Sequence, residues 1–357
     1  MPARFLSILG VLVAFCSLNI TSAAEPVRVG VLGLDNYQCV EYAVMYNMPK
    51  TEAALARLTP EARQDAEQSM KDFAGLRVTV ALPIGSPDIP ESVENQPKWI
   101  AQIQRPGVKI VSTVEELLAE CDCVMIFSLD GRQHLEQAKK VLAAKKRLFI
   151  GRPLAASLAD VREIFRIAEE NKTPVWSASQ HRYSPGFYGM RGHPEVGKVL
   201  GVDVYGGCPT EPHHPELYWH ALHGIETLYT IMGPGCESVR CVSTPYAESI
   251  TGVWKDGRVG TFRGIKQGKP KYSATVFGDL GVSTAGVYGH GVPVKGIVPT
   301  TDRYMGYEAI GREMAKFFKG GPAPVSPEET IEIFTFMDAA HESKAKGGTP
   351  IEIKVVK

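Results

Sequence analysis

The segment Val27-Arg28-Val29-Gly30-Val31-Leu32-Gly33-Leu34-Asp35-Asn36-Tyr37-Gln38-Cys39 constrains this chain more than any other. A short apolar run that ends in glycine and passes at once into a helical pattern is how a doubly wound parallel sheet begins, with Gly33 supplying the tight turn. The same stretch departs from the G-x-G-x-x-G loop that cradles a dinucleotide, because Asp35 and Gln38 stand where the second and third glycines would. A carboxylate at position 35 falls near the expected place of a pyrophosphate, and two anions there repel. Three arrangements satisfy this conflict: Asp35 turns away to cap the following helix, the cofactor sits higher, or no dinucleotide binds.

The residues before this segment read as processing sequence. Arg4 gives a positive start, Phe5 to Ile20 an apolar region and Ser22-Ala23-Ala24 a small-residue site, so an export signal over 1–24 with cleavage after Ala24 is expected. The apolar region is shorter than the roughly 20 residues of a spanning helix and is broken by Ser7, Gly10, Ser17 and Asn19, which argues against a retained anchor. Phe15 is bulky ahead of Cys16, against acylation, and there is no twin arginine. The expected location is periplasmic or extracellular, with no stable membrane span after processing.

The chain's 357 residues, 44% of them hydrophobic, suffice for one large or two medium domains with real cores. Its 39 basic and 39 acidic residues balance, which argues against nucleic acid or an anionic membrane as partner and for a small, weakly polar ligand. The six cysteines after the signal, at 39, 121, 123, 208, 236 and 241, are too sparse for a disulfide framework. Cys236 and Cys241 suggest a pair by their proximity in sequence alone. Cys121 and Cys123 border a strand without a second pair at zinc-site spacing and read as buried thiols.

From Val27 to Ile150, strand patterns (Val27 to Leu32, Leu76 to Leu82, Val108 to Val111, Val124 to Phe127, Leu148 to Ile150) alternate with helical ones (Gln38 to about Tyr46, Ala101 to Gln104, Val114 to Ala119, Leu135 to Ala144). This alternation predicts a parallel sheet with crossover helices over 25–152. Beyond Pro153 the texture changes. Ser157 caps a helix to about Glu170, and Val175 to Ser179 is a further strand; strands dominate from Gly201, with Asp256-Gly257 as a hairpin signal between Ile250 to Trp254 and Val259 to Arg263. A helix at about Tyr218 to Met232 ends at Gly233-Pro234-Gly235, and two more cover about Arg303 to Phe318 and Pro327 to Ser343. The second region, 153–357, therefore reads as an α+β domain with an open-faced, mostly antiparallel sheet.

In a doubly wound sheet ligands gather at the carboxyl ends of the strands. That rule selects Gly33, Leu34, Asp35 and Asn36, then Gly85 and Ser86, then Ser128, Asp130 and His134, then Gly151 and Arg152 as candidate cofactor contacts. Where the second strand should end in an acid to grip an adenosine ribose, the chain has Ala81-Leu82-Pro83-Ile84-Gly85-Ser86, and Gly85-Ser86 offers donors suited to a phosphate.

The strand and turn at 27–39, the Ser128 to His134 segment, the Phe149-Ile150-Gly151-Arg152-Pro153-Leu154 junction and the histidine-bearing helix at 218–232 together resemble the Gfo/Idh/MocA oxidoreductases. The resemblance covers most of the chain after the signal. It implies an amino-terminal Rossmann domain holding NAD or NADP, a carboxyl-terminal domain presenting a sugar or cyclitol, and a homo-oligomer pairing through the open sheet face. The family's Glu-Lys-Pro junction corresponds to Gly151-Arg152-Pro153, and its aspartate followed four residues on by histidine corresponds to Trp219 and His223. What the resemblance implies, then, is His223 as proton acceptor and Arg152 as an orienting cation, since a guanidinium stays charged and shuttles protons poorly. Trp219 and His220 stand as substrate contacts, an aromatic face suiting the C–H side of a sugar ring.

Two further readings follow from the departures. One is a non-enzymatic carbohydrate-binding or interaction protein on the same fold, and the other a lyase or glycosidase that uses bound NAD transiently. His213, His214, His220, His223 and Glu226 hold metal-type side chains, but no full ligand set has metal-site spacing, so no metal is expected.

Overall fold

The computed structural model describes residues 25–286, 289–290 and 306–353, so the expected export signal lies outside the described residues. The first region alternates β1 (Val27–Leu32), α1 (Gln38–Asn47), α2 (Glu52–Leu55), α3 (Pro60–Phe73), β2 (Leu76–Leu82), α4 (Pro90–Ile103), β3 (Lys109–Ile110), α5 (Val114–Ala119), β4 (Cys123–Ile126), α6 (His134–Ala143), β5 (Arg147–Ile150), α7 (Leu158–Glu170) and β6 (Val175–Ser177). The strands pair in parallel in the order β3-β2-β1-β4-β5-β6. Val29 to Leu32 and all of β4 are buried, as both-faces-covered parallel strands require. The order reverses beside β1, and that switch point is where a doubly wound sheet opens a ligand crevice.

Gly33 makes the turn after β1 with φ of +87°, and a Cβ there would lie 2.1 Å from the Ser128 backbone nitrogen. No other residue type fits this approach of the β1 and β4 exits.

The second region contributes α8 (Pro185–Tyr188), β7 (Val199–Gly207), α9 (Ala221–Met232), β8 (Cys236–Ser243), β9 (Ala247–Trp254), β10 (Val259–Ile265), β11 (Ser273–Gly278), β12 (Val282–Gly286), β13 (Gly289–His290), α10 (Gly306–Phe318), α11 (Pro327–Ala345) and β14 (Ile351–Glu352). Its eight-stranded sheet runs β13-β12-β11-β7-β10-β9-β8-β14, antiparallel except where β10 lies parallel to β7. Every residue of α9 is buried. Gly224 lets that helix close on the sheet, since a Cβ there would meet the Phe262 ring at 2.1 Å. The opposite face of the sheet carries exposed Tyr205, Val253, Val259, Phe277 and Val282.

The fold class expected from the sequence is the fold observed. Particular elements differ. The parallel sheet does not stop at 152, because β6 pairs with β5 and brings the chain to Ser177 before the second sheet begins. α10 also returns from the far end of the sequence to the first region. Ile310, Met314 and Phe317 pack with Val29, Phe73 and Trp176, and the Tyr46 hydroxyl donates to the Gly311 carbonyl at 3.0 Å. α4 is a full 14-residue helix where only Ala101 to Gln104 was expected, and α9 starts at Ala221 after a 3-10 turn over Glu216–Tyr218. The suggested Cys236–Cys241 pair does not form: all six cysteines among the described residues are free and buried, these two on one strand facing the core.

Candidate functional site

At the switch point the β1 turn, the β2 exit and the β4 exit are tied together by polar side chains. Asp35 is 1% exposed, and its carboxylate accepts from the Leu129 backbone N–H at 2.9 Å and from the Ser92 hydroxyl at 2.7 Å. Ser92 Oγ accepts in turn from the Ser86 N–H at 2.8 Å, and the Ser86 hydroxyl donates to Asp130 Oδ2 at 2.6 Å. Asp130 holds Arg132 at 2.7 Å and lies 3.3 Å from His214 Nε2, while Arg132 reaches on to Asp88. Burial raises the Asp35 pKa to about 6, against the two hydrogen bonds that favour its charge. Burial opposes the Asp130 charge as well, but hydrogen bonds from His214, Arg132 and Ser86 outweigh it and hold that carboxyl well below its ordinary value.

The Asp35 cap of α1, one of the three arrangements open to that residue, is not made: the helix has Tyr37 at its N-cap with no side-chain cap bond. Its leading N–H groups are nonetheless engaged, Gln38 with Asn36 Oδ1, Cys39 with the Asn36 carbonyl and Val40 with the Tyr37 carbonyl. A pyrophosphate on a Rossmann fold takes its hydrogen bonds from this helix terminus. Ile89, Leu129 and Trp219 then close over the same region as a small apolar cluster. The residues present therefore do not fit an extended dinucleotide, since the turn after β1 holds the buried Asp35 carboxylate and the Gln38, Cys39 and Val40 N–H groups are already bonded within the chain.

The remaining candidates sort clearly. Leu34 is core. Gly85 is packed, a Cβ there meeting Gln96 Nε2 at 2.7 Å, and Ser86 is saturated by Ser92, Asp130 and Gln133. The Ser128 hydroxyl donates to Gln137 Oε1 at 2.8 Å. His134 bridges the Ser128 and Pro153 carbonyls, each at 2.9 Å, and pins the junction after β5. Gly151 lies against the Phe127 ring. These residues build the floor of the crevice.

An open cavity of about 660 Å³ lies beside that floor, lined among others by Asp35, Asn36, Arg152, His220 and His223 from the sequence-derived candidates. Trp219 stands behind the wall with its ring 5.5 Å from the Arg152 guanidinium, and it is not among the lining residues. His223 Nδ1 is 2.6 Å from Ser179 Oγ, so Nε2 is the remaining ring nitrogen, and the ring stacks on His181 at 4.7 Å. Burial, with help from the Arg152 charge, lowers His220 and His181 to about 3 and takes His223 well below its ordinary value. All three imidazoles are neutral at neutral pH. His213 and His214 lie apart in a network with Glu211, Asp88 and Asp130, and among the described residues no group of three potential ligands is placed to hold a metal.

Sequence reasoning missed Tyr37, Glu91, Asn95, Trp99, Gln180, His181, Lys271, Tyr272 and Tyr307 in the lining. Gln180 and His181 follow β6, so the strand-exit rule applied one strand further would have found them. Tyr272 precedes β11, and its hydroxyl donates to the His220 carbonyl at 2.7 Å; no local signal marks it.

Residues 89–179 match the model of GFO_IDH_MocA, an oxidoreductase family with an NAD-binding Rossmann fold. Over that stretch the chain is similar to the Gfo/Idh/MocA oxidoreductases. No curated protein sequence matches it. Solved Gfo/Idh/MocA-like structures share the fold at low identity. A putative myo-inositol dehydrogenase from Sinorhizobium meliloti is 17% identical with a TM-score of 0.68, over 92% of this chain and 100% of that one. Myo-inositol 2-dehydrogenase from Lactobacillus plantarum is 15% identical at 0.68, over 92% and 100%. GenD2 from gentamicin A biosynthesis, solved in complex with NAD, is 16% identical at 0.67, over 92% and 97%. The two-domain fold of these structures thus runs through both sheets of this chain.

Proposed function

We propose that this protein is an exported, periplasmic or extracellular Gfo/Idh/MocA-type protein that binds a sugar- or cyclitol-sized polyol in the cavity beside β1, without an extended NAD or NADP. The observation that carries this reading is the Asp35 carboxylate, fastened to the Leu129 N–H and the Ser92 hydroxyl where a pyrophosphate would lie. The cavity supports it independently. Its size is that of a small-molecule pocket, and its wall mixes neutral donors and acceptors (Asn36, Asn95, Gln180, Tyr272 and three uncharged imidazoles) with the Trp99 ring, a composition suited to hydroxyls on a ring. The names of the inositol dehydrogenases that share the fold point to the same ligand class. Pairing of subunits through the exposed apolar face of the second sheet fits this reading as well.

One observation favours the alternative of an NAD(P)-dependent oxidoreductase: a neutral His223 at the cavity is competent to accept a hydroxyl proton, with Arg152 orienting the substrate. That alternative requires the Asp35 network to open. Titration calorimetry of the chain from Glu25 onward against myo-inositol, D-glucose, NAD and NADP, with a dinucleotide scan of the supernatant after denaturation, separates the two. Saturable binding of a polyol with neither dinucleotide bound or released is expected. A dinucleotide recovered from the denatured protein, or saturable NAD or NADP binding, would overturn the proposal.

A further inference from the structure

Arg152 enters the cavity wall directly after β5, and its position is chemically unfinished. Its Nε and Nη1 are buried without a hydrogen-bond partner among the described residues. Its one recorded contact partner of note is the Trp219 ring, 5.5 Å from the guanidinium carbon. Arg182, the other arginine deep in this part of the molecule, has by contrast two counter-anions: Glu226 lies 2.6 Å and Glu329 2.8 Å from its guanidinium. No carboxylate among the described residues forms an ion pair with Arg152. A buried guanidinium without a bonded counter-anion carries a desolvation penalty that Tyr37, Tyr272 and Glu91 only partly offset.

The groups facing it do not complete its hydrogen bonds. Asp35 points its oxygens at Leu129 and Ser92, and Glu91 sits exposed at the rim. His220, His223 and Tyr272 are neutral, and Lys271 adds a second cation to the lining. Asp35 and Glu91 balance Arg152 and Lys271 across this wall, but neither carboxylate is bonded to Arg152, whose buried Nε and Nη1 still lack an acceptor among the described residues.

We propose that the ligand of this cavity is an acidic polyol, a sugar or cyclitol bearing one carboxylate, and that Arg152 clamps the carboxylate. A planar guanidinium matches a carboxylate in a way it matches no hydroxyl, and such charge-assisted bonds are about twice as strong as neutral ones. The inference rests on the polyol reading of the cavity, and it goes further by fixing the ligand's charge.

The test is a matched series on the chain from Glu25 onward: D-glucose, D-glucuronate and inorganic phosphate by titration calorimetry, each with the wild type, Arg152→Gln and Arg152→Lys. D-Glucuronate is expected to bind at least about tenfold tighter than D-glucose, as a charge-assisted bond to a buried cation implies. Arg152→Gln should bring that ratio close to one, and Arg152→Lys, which keeps the charge, should retain part of it and report on folding. Equal binding of the two sugars by the wild type, or an unchanged ratio in Arg152→Gln, overturns the acidic ligand and leaves the polyol reading standing. Phosphate binding as tightly as D-glucuronate overturns it too, by showing a site for free anions. Binding of neither sugar sinks both readings together.

Discussion

The Asp35 network makes a quantitative claim that Asp35→Asn tests. In the folded chain the carboxyl titrates at about 6 instead of 3.8, chiefly because burial penalises its charge. Below 3.8 the group is protonated in both folded and unfolded chains and has no pH-dependent effect. As the pH rises from 3.8 toward 6 the unfolded chain ionises first, so folding stability falls; above about 6 both states are ionised and the loss is constant, about 3 kcal/mol. Asparagine removes this titration while keeping the geometry, since its Oδ1 can accept from Leu129 and its Nδ2 can donate to Ser92. Equilibrium urea unfolding of wild type and variant, at fixed ionic strength across about pH 3.5 to 8, should show their stability difference moving by about 3 kcal/mol in the variant's favour, nearly all of it before about pH 7. Other carboxyls titrate in both proteins and cancel in that difference. A difference that stays flat with pH would refute the assignment of a buried, charge-penalised carboxyl to position 35.

Gly33→Ala should cost more than about 3 kcal/mol or prevent folding, because left-handed backbone alone costs about 1–2 kcal/mol and the added Cβ meets the Ser128 nitrogen at 2.1 Å; a loss under about 1 kcal/mol in urea unfolding would show that the two strand exits do not meet there. The six thiols of the chain from Glu25 onward should be unreactive to a disulfide reagent in the native state and all react in denaturant. Fast reaction of any of them in the folded protein would contradict the burial described.

β1 was readable because a fully buried parallel strand ending at a glycine has few alternatives, and the β9–β10 hairpin because Asp256-Gly257 names its own turn. α4 was not readable over most of its length. Pro97 lies inside it, only Ser92 and Ile103 are buried, and its polar residues show no long apolar stripe. That one omission hid the decisive part of the site, since Ser92 in its first turn is what reaches Asp35. α3 escaped notice for a similar reason, with Ala66, Ser69 and Phe73 its only buried residues. Arg152, His220 and His223 reached the cavity because the family resemblance supplied long-range information that spacing lacks. Trp219 did not reach it, because placing a ring in front of a wall or behind it takes a three-dimensional decision. Asn95, Lys271 and Tyr307 come from three distant segments that only the folded chain brings together.

The return of α10 to the first sheet bears on how this molecule acquires its structure in time. The Tyr46–Gly311 bond spans 265 residues, and Ile310, Met314 and Phe317 complete a core begun by β1 and α3. The amino-terminal half emerging alone would leave Phe73 and Trp176 without their covering helix. Its consolidation must wait for nearly the whole polypeptide, a long loop closure that makes the last steps of folding slow and a carboxyl-terminally truncated chain prone to aggregate.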